Sequence, residues 1–306
     1  MKIDQENFAL LVNKAMQVEN VSHMRAVIEK ELLHYDILFA LEKGGLLDKL
    51  TFQGGTSLRL CYGGNRFSED LDFAGGKDFS SAMLTDMKHC IEKYIGERYG
   101  LEVTVKEPKQ LKQDLKYTEL SIDKWQIAVV TSPERKDLPK QKIKVEVANI
   151  PAYTREPQPL QINYDFLPDG YSDTLVLTES LDEVMADKII SLPATTKYVR
   201  YRDIWDLAWL QQQGATLNMD LVKNKVSDYK LEHFSKMVEN FLDRLPGIVS
   251  SEALIAEMKR FLPTDVFDRT LAQDKFKVYL QNTLEKLFKT VSNELLGNVT
   301  NNEFRM

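Results

Sequence analysis

The stretch FQGGTSLRLCYGGNRFSEDLDFAGG, Phe52 to Gly76, constrains this chain more than any other part of it. Six of the fourteen glycines lie there as three pairs, with two adjacent hydroxyl residues, two arginines and an Asp-Leu-Asp framed by apolar side chains. Glycine pairs give backbone freedom at an entropic cost. Acids and arginines close together are expensive to bury unless they bind something or one another. A segment of this kind is expected to form a site.

The expected secondary structure places that site. Leu50-Thr51-Phe52 reads as a short strand, Gly54-Gly55-Thr56-Ser57 as a turn, and LRLCY as the helix after it. Glycines before a helix start let backbone amides approach an anion, which the helix dipole favours. Thr56 and Ser57 can donate to the same oxygens, and Arg59, Arg66 and Ser68 are further phosphate candidates; a plain turn with an N-cap is the alternative. In Asp70-Leu71-Asp72-Phe73, strand alternation puts Leu71 and Phe73 on the core face and the two aspartates together on the other. Two carboxylates held so close raise each other's proton affinity, and a divalent cation removes that penalty. An oxygen-only set favours Mg²⁺ or Mn²⁺. A solvated pair on an edge strand is the alternative. A third acid is expected on a neighbouring strand. KIKVEVANI, 142–150, offers Glu146 on its polar face with Lys144 and Ala148, while Ile143, Val145 and Val147 face the core; a surface glutamate opposite a lysine is the alternative.

Around this segment the chain reads as two lobes, a mixed α/β lobe over about 1–165 and a helical lobe over about 166–306. Residues 5–48 carry helical periodicity (Leu32, Leu33, Ile37, Leu38, Leu41) that Gly44-Gly45 stops. Residues 80–99 are helical again. LEVTVKE, ELSIDKW, QIAVVTS and KIKVEVANI then alternate as strands. The segment 151–170, with four prolines, reads as an irregular connector. Ser180-Leu-Asp-Glu183 is a capping box opening a helix that Pro193 is expected to end at Leu192. Leu181, Met185, Ile189 and Leu192 form its apolar stripe. Lys188 lies beside that stripe, so its ammonium must meet an anion or snorkel to water. Asp203 and Asp206 share a face of the next helix, and Trp205 and Trp209 read as core.

Composition excludes several classes. No apolar run approaches the roughly 20 residues of a membrane span, and MKIDQENFALLVNK does not read as a signal peptide. Two cysteines and four scattered histidines provide neither a disulfide framework nor a zinc site. A reduced, cytoplasmic protein is expected. The net charge of −6 hides a local basic excess, ten Lys/Arg against six Asp/Glu between Lys106 and Lys144, with three more cations over 197–202. Such a region is either a solvated surface or a groove for a phosphate chain.

A glycine pair with a hydroxyl, then Asp-hydrophobic-Asp, then a later strand acid resembles the signature of the polymerase-β-like nucleotidyltransferases. GGTSLRLCYGGNRFSEDLDF is more narrowly similar to the AbiEii/AbiGii toxins, which include the MenT toxins. LDEVMADKIISL, 181–192, resembles that family's lysine-bearing helix, and RYRDIWDLAWL, 200–210, its Arg-x-x-Asp-x-x-Asp-Leu motif. The four patches span about half the chain. Thr56 stands where the superfamily usually has Ser, and Arg202 where the family often has Lys.

The resemblance implies an α/β fold, a nucleotidyltransferase lobe with a mixed sheet followed by a helical lobe. It implies a toxin paired with a cognate antitoxin, moving NMP from an NTP to an RNA acceptor such as the tRNA 3′ end. On that reading Asp70, Asp72 and Glu146 hold Mg²⁺ or Mn²⁺, and Gly54, Gly55, Thr56, Ser57, Arg66 and Ser68 bind nucleotide with Lys188. Asp203 joins Lys188 as a catalytic candidate, by orienting Lys188 or by binding the nucleotide's sugar or base; a structural partner to Arg200 is the alternative. The other readings are NMP transfer to a protein hydroxyl, a non-catalytic protein that binds nucleotide and antitoxin, and a Mg²⁺-dependent phosphohydrolase, which leaves Gly-Gly-Thr-Ser unexplained.

Overall fold

A computed structural model of the chain describes residues 5–17, 20–109 and 120–303, with side chains as far as 297. Lys112, Lys116 and Glu119 of the basic stretch lie outside the described residues. The first compact unit, Met1–Glu179, is built on seven strands: β1 Thr51–Gln53, β2 Leu71–Ala74, β3 Val103–Lys106, β4 Ile122–Val129, β5 Gln141–Ala148, β6 Glu156–Pro159 and β7 Leu175–Thr178. They form one mixed sheet in the order β3-β4-β5-β2-β1-β7-β6. β2 runs parallel to β5, and β1 parallel to β7; the remaining neighbours are antiparallel.

Helices α1 (Phe8–Ala15), α2 (Arg25–Lys43), α3 (Gly54–Tyr62) and α4 (Met87–Tyr99) complete the unit. α2 contacts β5, α4 contacts β3, and the two helices contact each other. They cover the face carrying Val105, Trp125, Ile127, Val129, Ile143, Val145 and Val147, all buried. Apart from the buried Ala148, the alternate residues of β3, β4 and β5 stay exposed or half-exposed, so that face of the three strands is largely open among the described residues. The expected face assignment of Ile143 to Ala148 is what the structure shows for the core residues and for Lys144 and Glu146. α2 stops at Gly44, with Gly45 at φ +64°.

Three local expectations are corrected. ELSIDKW and QIAVVTS belong to a single strand, β4, because the alternation runs without a turn signal between them. The proline-rich connector contains β6, whose prolines are tolerated because it lies at the sheet's edge. The division expected near residue 165 falls instead between Glu179 and Ser180. Leu175–Thr178, assigned by sequence to the helical lobe, pairs with β1 and β6.

The second unit, Ser180–Met306, is helical: α5 Leu181–Ala194, α6 Tyr201–Gln212, α7 Met219–Asp228, α8 Phe234–Val249, α9 Glu252–Lys259, α10 Thr264–Arg269 and α11 Asp274–Glu303. Ser180 caps α5 by accepting from the Glu183 amide. Pro193 does not end the helix at Leu192 but sits in its last turn, which closes with Thr195 donating to the Ser191 carbonyl. A proline this close to the end sacrifices one bond without a full break. α11 packs on α8 through Phe288 and Phe241, 4.6 Å apart, and on α6 through Phe276 and the buried Trp205. Trp205 and Trp209 are core residues, as expected.

Candidate active site

β1 passes into α3 without a loop, so the glycine pair forms the first turn of the helix itself. Gly54 has φ +80°, and a Cβ there would fall 2.8 Å from Asp72 Oδ2. A Cβ on Gly55 would fall 2.2 Å from Arg66 Nη2. The absence of both side chains thus lets an acid and a guanidinium close on the start of α3. A helix start carries unsatisfied amides and positive potential. A buried arginine beside it adds positive charge to positive potential, and a polyanion offsets both.

The two hydroxyls serve the turn. Thr56 donates to the Asp70 carbonyl and Ser57 to the Gly54 carbonyl at 2.8 Å, and both residues are buried. Each of these protons is used here to hold the backbone. Arg59 is engaged within the fold too. It forms a two-pronged bond to the buried Glu31, at 2.9 and 3.0 Å, and lies over the Phe67 ring. Arg66 is buried and donates to the Phe67 carbonyl at 2.9 Å, and Ser68 is buried close by in sequence.

The sheet register assembles the acids. Gln53 pairs with Asp72, Asp72 with Glu146, and Glu146 with Lys124, giving one row across β1, β2, β5 and β4. Residues paired in this way share a face. Asp72 and Glu146, 74 positions apart in sequence, are thus lateral neighbours beside the α3 start. Lys124 pairs with Glu146 at 2.9 Å. Asp70 stands just before β2. Its Oδ1 accepts from the Lys144 amide at 3.0 Å and its Oδ2 lies 3.4 Å from Lys144 Nζ. Asp70 in turn raises the Lys144 pKa, outweighing partial burial.

No group of three or more His, Cys, Asp or Glu is already arranged around a metal position among the described residues. The donor set nevertheless fits a hard cation. Three carboxylates lie in two adjacent rows, and the buried Gln53 Oε1 next to Asp72 accepts no hydrogen bond. Lys124 and Lys144 neutralise two of the carboxylates here.

The support of Asp70 was not read from the sequence. Lys30 pairs with Glu69 at 2.7 Å, and the His34 Nε2–H donates to the Glu69 carbonyl at 3.0 Å. With Thr56 on the Asp70 carbonyl, the Glu69–Asp70 backbone is held from α2 and α3 together. Burial lowers the His34 pKa to about 4, so the ring is neutral. The one available signal was the run of ionisable groups in mid-α2, of which Glu29, Glu31, His34 and Asp36 prove buried.

In the second unit, Lys188 is buried and meets anions instead of snorkelling to water. These are Asp203 Oδ1 at 2.8 Å and Asp206 Oδ2 at 2.7 Å. Asp203 also receives Arg200 and the Ser191 hydroxyl. Burial by itself pushes the Asp203 carboxyl up, but Lys188 and Arg200 outweigh it and hold it far below the usual carboxylate range. Arg202 lies 3.7 Å from Glu257 and over the Phe261 ring. A second buried cluster escaped notice: Lys225, fully buried, pairs with Glu183 at 2.8 Å and Asp187 at 3.0 Å. The Glu183 carboxylate expected to complete the capping box is engaged there.

A family model described as nucleotidyl transferase AbiEii toxin, type IV TA system, matches residues 36–287. The chain belongs to this family. As an AbiEii-family protein it is a nucleotidyltransferase of a toxin–antitoxin system, and the glycine turn, the acid row and the Lys188 cluster all fall within the matched residues. Among solved structures, MenT4, a nucleotidyltransferase toxin from Mycobacterium tuberculosis H37Rv, has a similar fold. It is 18% identical, with 97% of each chain covered and a TM-score of 0.54. JHP933 from Helicobacter pylori aligns at 18% identity over 92% of this chain and 98% of its own, with a TM-score of 0.49. No curated protein sequence matches the chain.

Proposed function

We propose that this toxin transfers NMP from an NTP to the 3′-hydroxyl of an RNA acceptor, tRNA being the leading candidate, with Mg²⁺ or Mn²⁺ held by Asp70, Asp72 and Glu146. One observation carries the reading: Asp72 and Glu146 pair across parallel strands, with the Asp72 carboxylate against Gly54 at the start of α3. The bound ion would neutralise charge at the α-phosphate and on the leaving pyrophosphate and lower the pKa of the attacking hydroxyl.

The chain's own residues supply the rest. The first amides of α3 and the Arg66 guanidinium braced on Gly55 bind the β- and γ-phosphates, with Ser68 near them. Thr56 and Ser57 keep the turn in shape. Glu146 orients the acceptor hydroxyl for in-line attack. The new bond joins that oxygen to the α-phosphorus, the bond to the β-bridging oxygen breaks, and the hydroxyl proton leaves to solvent. Lys188 and Asp203 act as positioning residues that tie α5 to α6, since each already satisfies the other's charge. The cognate antitoxin is the protein partner, and the cytoplasm the place of action. Among the described residues no helix is long and apolar enough to cross a membrane.

Purified protein incubated with Mg²⁺, each radiolabelled NTP and total tRNA should move label into RNA. Asp72→Asn should reduce transfer by roughly 10²–10³-fold or more. Label on a polypeptide instead would replace the RNA acceptor with a protein hydroxyl. No transfer to either would overturn the reading.

A further inference from the structure

The open face of β3, β4 and β5 carries a charge pattern that the metal and nucleotide residues use only in part. Register places Lys106 beside Gln126 and Gln126 beside Lys144, which adjoins Asp70. The next row away from the acids holds Thr104, Ala128 and Lys142, and the row on the other side joins Lys124 to Glu146 and Asp72. Four lysines therefore share one face, and Glu146 at its end is the only acid among the β3–β5 residues alternating onto it. The side chains of Lys124 and Lys144 are 56% and 50% exposed, and Lys106 and Lys142 are exposed as well. Lys106 and Lys142 have no carboxylate partner among the described residues. With strands about 4.8 Å apart, Lys106 stands roughly 14 Å from Asp70 along their shared row, and Lys142 lies one row, about 6.7 Å, further from the acids.

Lys106 and Lys142, without a carboxylate partner among the described residues and beside the paired Lys144 and Lys124, carry a self-repulsion cost. A phosphate backbone removes that cost by charge complementarity and by releasing counterions. Gln126, between Lys106 and Lys144, offers an amide to sugar or base edges. We propose that the exposed face of β3–β4–β5, through Lys106 and Lys142 with Lys144 and Lys124 leading to the acids, is the docking surface for the RNA acceptor strand. It rests on the RNA-acceptor reading above and adds where the strand lies and in which direction its 3′ end approaches.

The test is fluorescence anisotropy of a short labelled single-stranded RNA on the full chain across a salt series. Lys106→Gln/Lys142→Gln removes two contacts. At about 0.7 per phosphate contact, the slope of log K against log salt should fall by roughly 1.4, and affinity at 0.1 M salt by roughly 25-fold. Lys88→Gln/Lys93→Gln, on α4 in the helical layer of the same unit, removes the same charge and should leave both unchanged. In the transfer assay the first variant should raise the RNA KM with kcat and the NTP KM at wild-type values. Wild-type protein that binds RNA, with the Lys106/Lys142 variant matching its slope, overturns the docking surface and leaves the RNA reading standing. A wild-type protein that does not bind RNA at any salt overturns both. A variant that keeps RNA affinity but loses the antitoxin assigns the strip to a protein and overturns the proposal.

Discussion

Gly55→Ala should separate the folding role of the glycine turn from its binding role. The residue lies inside α3 without a positive φ, so alanine alone would favour the helix by about 0.8–1.0 kcal/mol. The new methyl, however, falls 2.2 Å from Arg66 Nη2, 3.0 Å from its Cζ and 3.1 Å from Nη1. An ordinary contact needs about 3.5 Å, so the guanidinium must retreat by about 1.3 Å. That retreat breaks its 2.9 Å bond to the Phe67 carbonyl, a charge-assisted bond of about 1.5–3 kcal/mol. The net change in folding is a loss of about 1–2 kcal/mol, a shift of about 2–8 °C in Tm for a domain of this size. Nucleotide binding should suffer more, because the guanidinium leaves the phosphate position. Losing one charge-assisted hydrogen bond weakens binding by roughly 10–150-fold. Calorimetric titration with a non-hydrolysable NTP and a thermal scan read the two effects separately. In an Arg66→Ala background the clash is gone, so Gly55→Ala should become neutral or stabilising by up to about 1 kcal/mol. Wild-type nucleotide affinity in Gly55→Ala, or equal destabilisation in both backgrounds, would refute the packing of Arg66 on this turn.

Lys188→Met leaves two buried aspartates facing an uncharged side chain and should cost about 3–5 kcal/mol in urea unfolding; a loss below about 1 kcal/mol would mean that Arg200 alone satisfies them. His34 has a folded pKa of about 4 against 6.5 for the ordinary side chain. Its neutral form therefore supports the fold fully above about pH 6.5, and that support is lost as pH falls toward 4, a change of about 3 kcal/mol. His34→Gln keeps an amide donor for the Glu69 carbonyl without titrating. The gap between wild type and this variant in urea midpoint should change across pH 4–6.5 and stay constant above it.

The candidate residues were legible because they are local. Gly54-Gly55, Asp70 and Asp72, and Glu146 on the polar side of its strand are patterns over two to four positions, set by backbone freedom and by the alternation of a strand. Lys188 beside an apolar helical stripe is marked in the sequence as a cation that meets an anion or snorkels, and its partners Asp203 and Asp206 share one face of the next helix for the same kind of reason. Periodicity likewise determined a lobe of strands and helices followed by a helical one, because each element's period is written in consecutive residues.

Only the tertiary structure decided which strands are neighbours, and much of the site depends on that. Period two tells which residues share a strand's face, not that β2 lies beside β5 rather than β1 alone. The order β3-β4-β5-β2-β1-β7-β6 brings Asp72 to Glu146 and aligns Lys106, Lys142 and Lys144 on the open face. It also draws Leu175–Thr178 into the sheet across more than a hundred residues. The hydroxyls of Thr56 and Ser57, the grip of His34 on the Glu69 carbonyl and the burial of Lys225 likewise depend on partners distant in sequence or on exact backbone direction. Local chemistry names the polar groups; packing chooses which of them meet.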